Sequence, residues 1–191
     1  MADKVLSNVR VAIIATDGFE QVEMTEPRRA LEDAGAETVM IAPHGGTVQG
    51  MRHDEKAEAF RVDRTLDETD PGQFDAVLLP GGALNADSLR MNTLARAFVK
   101  EMDGAKKPLA AICHAPWLLV SAGLVRGRHM TSYHTIQDDV RNAGAEWEDS
   151  EVVRDRNWVT SRSPKDISAF DRAMIDLISE YKSRRGKEHA A

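Results

Sequence analysis

One cysteine, Cys113, occurs in the 191 residues, and its neighbours make it a candidate nucleophile. It ends the apolar run Pro108-Leu109-Ala110-Ala111-Ile112 and is followed by His114-Ala115-Pro116-Trp117-Leu118-Leu119. That order reads as a buried strand, a sharp turn and a helix start. A side chain on such a turn stands up from the sheet edge, and backbone N–H groups at the helix start favour an anion, here a thiolate. A buried structural cysteine is the plain alternative, and the strand–Cys–His–helix context argues against it. An unperturbed thiol titrates at about 8.5, so a reactive one needs help. His114, the helix start and the carboxylates Glu20 and Glu23 are the groups on offer.

Glu20 and Glu23 are three residues apart and share one side of a helical turn. Glu20 is balanced between surface charge near a helix start and a role at the site. Glu23, flanked by Val22 and Met24, points to a buried role. Side chains of adjacent residues point apart, so His114 reaches the sulfur only on an unusual backbone, and its ring needs an orienting group. Pro80-Gly81-Gly82 lets backbone approach a ligand closely and could aim an N–H at a developing oxyanion. The sequence carries no dinucleotide fingerprint or phosphate loop. His44, His53, His129, His134 and His189 have no metal-ligand spacing, so neither metal nor cofactor is expected.

The elements that must position these residues alternate between strand-like and helix-like. Val9–Thr16, Glu37–Ala42, Asp75–Leu79 and Leu109–Ile112 are short apolar runs suited to buried parallel strands. A helix is expected after Asp17-Gly18-Phe19-Glu20, with Pro27 in its first turn and Gly35 at its end. Thr47–Val62 suggests short strands or a hairpin, and Pro80–Asp87 a loop. Leu94–Met102 and Gln137–Asn142 read as helices, and His129–Tyr133 as a short strand. Val152-Val153 and Trp158-Val159-Thr160 flank a turn. The last helix opens at Ser163-Pro164 and carries Ile167, Phe170, Met174, Leu177, Ile178 and Tyr181 on one face. Strands alternating with helices predict an α/β fold with a mostly parallel sheet covered on both faces. Sites in such sheets form at the carboxyl ends of strands. If their strands are neighbours, the loops Asp17–Glu23, Pro80–Asp87 and Cys113–Trp117 converge.

Length and composition fit a single globular domain spanning 1–191, with its core at about 9–181. The net charge of -6 argues against a specific nucleic-acid partner. One cysteine cannot make an internal disulfide, no apolar run would span a bilayer, and the first residues lack a signal-peptide pattern. A cytoplasmic protein without a membrane partner is the expectation.

Several stretches in order resemble the PfpI intracellular protease-like proteins of the ThiJ/PfpI superfamily, whose sheet is shared with class I glutamine amidotransferases. The resemblance runs from Val9 to Tyr181 and rests on Asp17-Gly18-Phe19-Glu20-Gln21-Val22-Glu23, Phe74–Gly82 and Ala111–Pro116. Leu124–Arg128, Asn142–Trp147 and Asn157–Arg162 extend it. It implies a flavodoxin-like three-layer sandwich with Cys113 as nucleophile and Glu23 as the buried acid beside it, Glu20 being close by. It also implies oxyanion N–H groups from Gly82 and His114, and Tyr133 beside the pocket. An acid from a neighbouring subunit would orient His114, and Asp87 matches it, so a homodimer at least, or a hexamer, is implied. One departure stands out: Ala115-Pro116-Trp117 replaces the usual Gly-Pro-Gln, which bears on substrate preference. The implied activity is a cysteine-dependent hydrolase or glyoxalase/deglycase, associated with stress response, acting on a small-molecule carbonyl, peptide or protein. The alternative is a non-turnover oxidative-stress sensor or protective chaperone using oxidation of Cys113.

Overall fold

The computed structural model describes residues 4–188; Met1, Ala2, Asp3, His189, Ala190 and Ala191 lie outside the described residues. The first apolar run forms β1 (Arg10–Ile14). It stops before Thr16, whose N–H bonds to the Asn85 side chain instead of a neighbouring strand. A two-residue β2 (Phe19–Glu20) leads into α1 (Gln21–Asp33). Pro27 lies inside this helix rather than in its first turn, because the helix begins six residues earlier, at Gln21. The N–H that Pro27 lacks would have gone to the carbonyl of Glu23. Gly35, at φ 100°, follows the helix end as expected.

β3 (Glu37–Ala42) is followed by the antiparallel hairpin β4 (Thr47–Arg52) and β5 (Glu55–Arg61), then β6 (Arg64–Thr65) and β7 (Ala76–Leu79). The segment read as a loop after Gly82 is instead helix α2 (Ala83–Met91). Its periodicity was hidden because it buries Asn85, Ala86 and Leu89 while exposing Leu84 and Met91, so apolar residues are spread around it. Next come α3 (Thr93–Gly104), capped by Asn92 accepting from Ala95 N–H at 2.9 Å, then β8 (Leu109–Ile112) and α4 (Pro116–Ser121). The chain closes with β9 (His129–Met130), α5 (Gln137–Asn142), β10 (Glu146–Trp147), β11 (Val152–Asp155), β12 (Trp158–Ser161) and α6 (Ile167–Glu188).

The main sheet has seven strands in the order β11-β12-β8-β7-β1-β3-β6, parallel throughout except for β11 against β12. Alternate residues of each strand enter opposite cores, which explains why the strand runs are apolar at consecutive positions. Val11, Ile13, Ala110 and Ile112 pack with Met24 and Leu31 of α1 and with Phe170, Met174 and Leu177 of α6. Ala12, Ile14, Leu109 and Ala111 pack with Leu89, Phe98, Met102, Leu118 and Leu119 on the other face. The result is a three-layer α/β sandwich.

Far from Cys113, a buried polar cluster closes the other end of the sheet. Asp103 Oδ1 accepts from Arg128 Nη2 at 2.6 Å, Trp158 Nε1 at 2.8 Å and Asn157 Nδ2 at 3.0 Å. The Arg128 guanidinium lies 4.1 Å from the Trp158 ring centroid. The Leu124–Arg128 and Asn157–Arg162 motifs therefore contain residues that join α3, the start of β12 and the approach to β9.

Candidate active site

β8, β7 and β1 are adjacent in the sheet, so the three loops at their carboxyl ends do converge. Cys113 sits on the turn after β8 at φ 64°, a left-handed conformation that L-residues with side chains adopt at a cost. Its N–H donates to the Ser161 carbonyl and its carbonyl accepts from Tyr133 N–H, which anchors the turn on both sides. The unusual backbone does what ordinary geometry would not. Cys113 Sγ lies 3.1 Å from Nδ1 of the next residue, His114.

Glu23 of α1 reaches the same place and is fully buried. Its Oε2 accepts from Gly81 N–H at 3.0 Å, and its Oε1 has no hydrogen-bond partner. Gly81 must lack a side chain, since a Cβ there would stand 2.5 Å from the Cys113 Cβ and still closer to Glu23 Oε2. Gly82, at φ 88°, turns the chain into α2, and a Cβ would press on Glu20 N and the Gly18 carbonyl. Asn85, also fully buried, ties the loops together. Its Nδ2 donates to the carbonyls of Pro80 and Gly81 at 3.0 and 2.9 Å, while its Oδ1 accepts from Thr16 N–H at 2.8 Å. Sequence reading missed this residue; the available signal was a polar side chain three residues after Gly-Gly, in the first turn of a helix.

Electrostatics set the protonation of the pair. Burial raises the Glu23 carboxyl to about 8, with Glu20 adding to the rise, while the Cys113 thiol and Gly81 N–H oppose it. Glu23 is therefore mostly protonated at neutral pH. Burial also pushes the Cys113 thiol up, and charge on Glu23 pushes it further. The N–H groups of Gly82 and His114 bond to the sulfur and pull in the opposite direction, but burial outweighs them. The lowered thiol pKa expected from the helix start is thus not found, because Cys113 is only 6% exposed. Burial and the nearby His134 lower the His114 pKa, leaving a neutral ring at neutral pH.

The recess over the sulfur has a volume of about 240 Å³ and is lined by Glu20, Glu23, His53, Gly82, His114 and Tyr133 among others. The Tyr133 ring stacks on His114 at 4.7 Å and lines the recess. Glu20 lines the recess, but its Oε2 accepts from His53 N–H at 3.0 Å and so holds the tip of the β4–β5 hairpin. Asp87 is the residue the single chain does not bring in: it is exposed on α2 and is not part of the recess lining. Trp117, the departure from the usual motif, lies 5.5 Å from the His114 ring and donates through Nε1 to Asp139 at 2.7 Å. Among the described residues, no group of three or more His, Cys, Asp or Glu side chains could hold a metal ion.

The sequence profile of the DJ-1/PfpI family matches residues 9–177, covering all three converging loops. The chain belongs to the DJ-1/PfpI family. Among its relatives, Deglycase TK1284 of Thermococcus kodakarensis is 42% identical over 170 residues, which is 89% of this chain and 99% of that protein. General stress protein 18 of Bacillus subtilis is 40% identical over 173 residues, 90% of this chain and 98% of that one. The fold also matches a solved two-domain protein of Anabaena variabilis containing DJ-1/ThiJ/PfpI-like and ferritin-like domains. That match has a TM-score of 0.84 and 34% identity, and it covers 88% of this chain. This chain spans about half of that larger protein, 48% of its length. No described helix is long and apolar enough to cross a membrane.

Proposed function

We propose that this member of the DJ-1/PfpI family is a cysteine-dependent enzyme acting on carbonyl groups, of the deglycase/glyoxalase or peptidase type. The observation that carries the reading is the 3.1 Å approach of His114 Nδ1 to Cys113 Sγ beside a buried, protonated carboxyl. The neutral imidazole takes the thiol proton as sulfur attacks the carbonyl carbon. The carbonyl π pair moves to oxygen, which the N–H groups of Gly82 and His114 receive. Return of the proton from His114 to that oxygen completes a hemithioacetal with an aldehyde. Glu23, held by Gly81, is the second group in the recess that can exchange a proton with that oxygen. Substrates are α-oxoaldehydes, their adducts on protein, or peptides, and kinship with a named deglycase favours the first two.

The single-domain reading of 1–191 and a cytoplasmic setting belong to the same proposal, as does assembly through α2. Leu84, Asp87, Ser88 and Met91 share one face of that helix, and Leu84 and Met91 are 65% and 74% exposed. Nearby Leu94 is 45% exposed. A second copy covering this face would bury apolar surface and bring an Asp87 carboxylate toward His114.

A second reading has one observation in its favour. Glu23 Oε1 is buried and unpartnered on a carboxyl that interacts with the Cys113 thiol, so its proton could go to a sulfinate oxygen on oxidised Cys113. Kinship with a general stress protein is compatible with such a sensor.

Counting product formed per subunit from methylglyoxal separates the two. The enzyme reading expects many turnovers in the wild type and none in Cys113→Ala. One equivalent of adduct per subunit, or none, would remove the α-oxoaldehyde activity and leave the peptidase and sensor readings to compete.

A further inference from the structure

The end of the sheet opposite Cys113 carries a recess larger than the one over the sulfur, about 600 Å³ against about 240 Å³. Ligand pockets span about 300–1,000 Å³. It lies at the amino ends of β8 and β12, which pair in parallel from Leu109 and Trp158 onward. Lys106, Arg156, Arg184 and Arg185 are among its seven lining residues, and none of the seven is acidic. That inverts the balance of a chain with 31 acids to 25 lysines and arginines.

Three separate elements deliver these cations. Lys106 sits on the turn between α3 and β8 at φ 57°, and Arg156 on the β11–β12 turn at φ 54°. Glycine or asparagine would occupy such left-handed positions at less cost. Arg184 and Arg185 come from the end of α6, which is fastened across this end of the sheet. Arg185 pairs with Asp75, just before β7, and Lys182 Nζ donates to the Val5 carbonyl at 3.3 Å.

The acids nearby are already committed. Asp75 takes Arg185 on Oδ1 and Arg10 N–H on Oδ2. Asp155 is shared between Arg156 at 3.1 Å and Arg128 at 3.5 Å, and Asp103 also holds Arg128. Glu180, which feels the charge of Arg184, is engaged by Arg154. Lys106 and Arg184 have no ion-pair partner among the described residues. Lys107 donates to the carbonyls of Pro71 and Gly72 rather than to an acid. Burial lowers its pKa, Asp75 opposes, and the charge of Arg185 adds to the lowering. Positive charge is in surplus here, and a concave wall of one sign focuses its field.

We infer that this recess binds a small polyanion with several adjacent phosphates, held by Lys106 and Arg184 against the fixed guanidiniums of Arg156 and Arg185. Cations on three supports around such a volume suit charge spread along a short phosphate chain better than one compact anion. The Arg184 fork matches phosphate oxygens, and Lys106 adds a point charge. Arg156 is preorganised by Asp155 and by the Gly127 carbonyl at 2.8 Å. Tyr181 gives the recess an aromatic wall. A nucleic-acid strand is disfavoured, because the net charge of -6 repels an extended polyanion beyond the recess. The site is independent of the reaction at Cys113, which lies at the carboxyl end of β8.

Isothermal titration calorimetry with inorganic tripolyphosphate at about 0.15 M salt tests this. One saturable site per chain is expected. Lys106→Ala and Arg184→Ala should each weaken binding about ten-fold, and the double variant about a hundred-fold. Both residues are exposed, so the variants keep the fold, as circular dichroism will show. Lys56→Ala with Arg61→Ala removes two exposed cations from β5 and should change nothing. The backbone amides of Lys106 and Asn157 should shift in ¹H–¹⁵N NMR during the titration. Adenosine triphosphate binding more tightly than tripolyphosphate would support a nucleotide as the source of the chain; equal binding would support the phosphate chain alone. No saturable binding, an affinity untouched in the double variant, or an equal loss in the β5 variant would overturn the site. Orthophosphate binding as tightly as tripolyphosphate would overturn the multi-phosphate ligand. A single-stranded oligonucleotide outcompeting tripolyphosphate at equal phosphate concentration would overturn the small-molecule assignment in favour of a nucleic-acid surface.

Discussion

At Glu23, one carboxyl connects reactivity with stability. Its pKa is raised from 4.5 to about 8 in the fold by burial. Between these values the native state holds a proton that the unfolded chain has released. Native protein therefore binds more protons, and stability falls as pH rises through the window from about 4.5 to about 8. Glu23→Gln keeps the shape and removes the titration, so the slope of unfolding free energy against pH in that window should flatten. The variant should also lower the Cys113 thiol pKa, because charge on Glu23 is one of the causes holding it up. Urea melts at several pH values and the pH profile of iodoacetamide labelling read the two effects. An unchanged labelling profile would count against contact between carboxyl and sulfur. The identities of Cys113, Glu23, Gly81 and Gly82 were legible as residue types on suggestive turns. The direction of the thiol shift was not, because it depends on how deeply the turn is buried.

The strand–turn–helix units show the next scale of the same argument. Apolar runs reported β1, β3, β7 and β8 well because central parallel strands are covered on both faces. Helix α2 escaped that reading since it packs through Asn85 and Ala86 as much as through Leu89. Asn85 is what welds this helix to the ends of β1 and β7. Replacing it with leucine would leave the Thr16 N–H and the carbonyls of Pro80 and Gly81 without their partner. A loss of about 3 kcal/mol is expected, measured as a lower denaturant midpoint with an unchanged slope. Asn85→Leu melting like wild type would reduce this residue to a bystander. The hairpin β4–β5 follows the same logic of attachment by side chains from one loop. Asp17 accepts from Gln49 N–H at 2.7 Å, Glu20 from His53 N–H and Gln21 from Glu58 N–H at 2.8 Å. Three polar residues in the Asp17–Glu23 motif thus serve the wall of the recess, while Glu23 alone among them is buried against the sulfur.

Over the whole molecule, the face of α2 is the outstanding apolar exposure next to the site. A face with Leu84 and Met91 at either end and Asp87 between them would be costly to leave in water and useful to cover. Leu84→Glu combined with Met91→Glu should shift the protein toward monomer in light scattering, with native circular dichroism retained. Asp87→Ala should lower turnover in an assembly that stays intact. A wild type that is already monomeric at working concentration would remove the shared-site reading. Asp171 contributes to the molecule's pH response from another direction. It lies on α6 with Oδ1 buried and unpartnered, and burial plus the charge of Glu26 raise it to about 7.

Sequence alone determined the α/β class, the parallel core strands, the family and the residue types gathered at the strand ends. These follow from periodicity and from local motifs, which are properties of neighbouring residues in the chain. Tertiary structure decided which loops share an edge, because adjacency of β8, β7 and β1 is a matter of sheet order. It also decided that Glu20 faces the hairpin, that Lys106, Arg156 and Arg184 border one recess and that the thiol is raised. Each depends on burial or on contact between distant segments, and neither quantity is written in the spacing of residues.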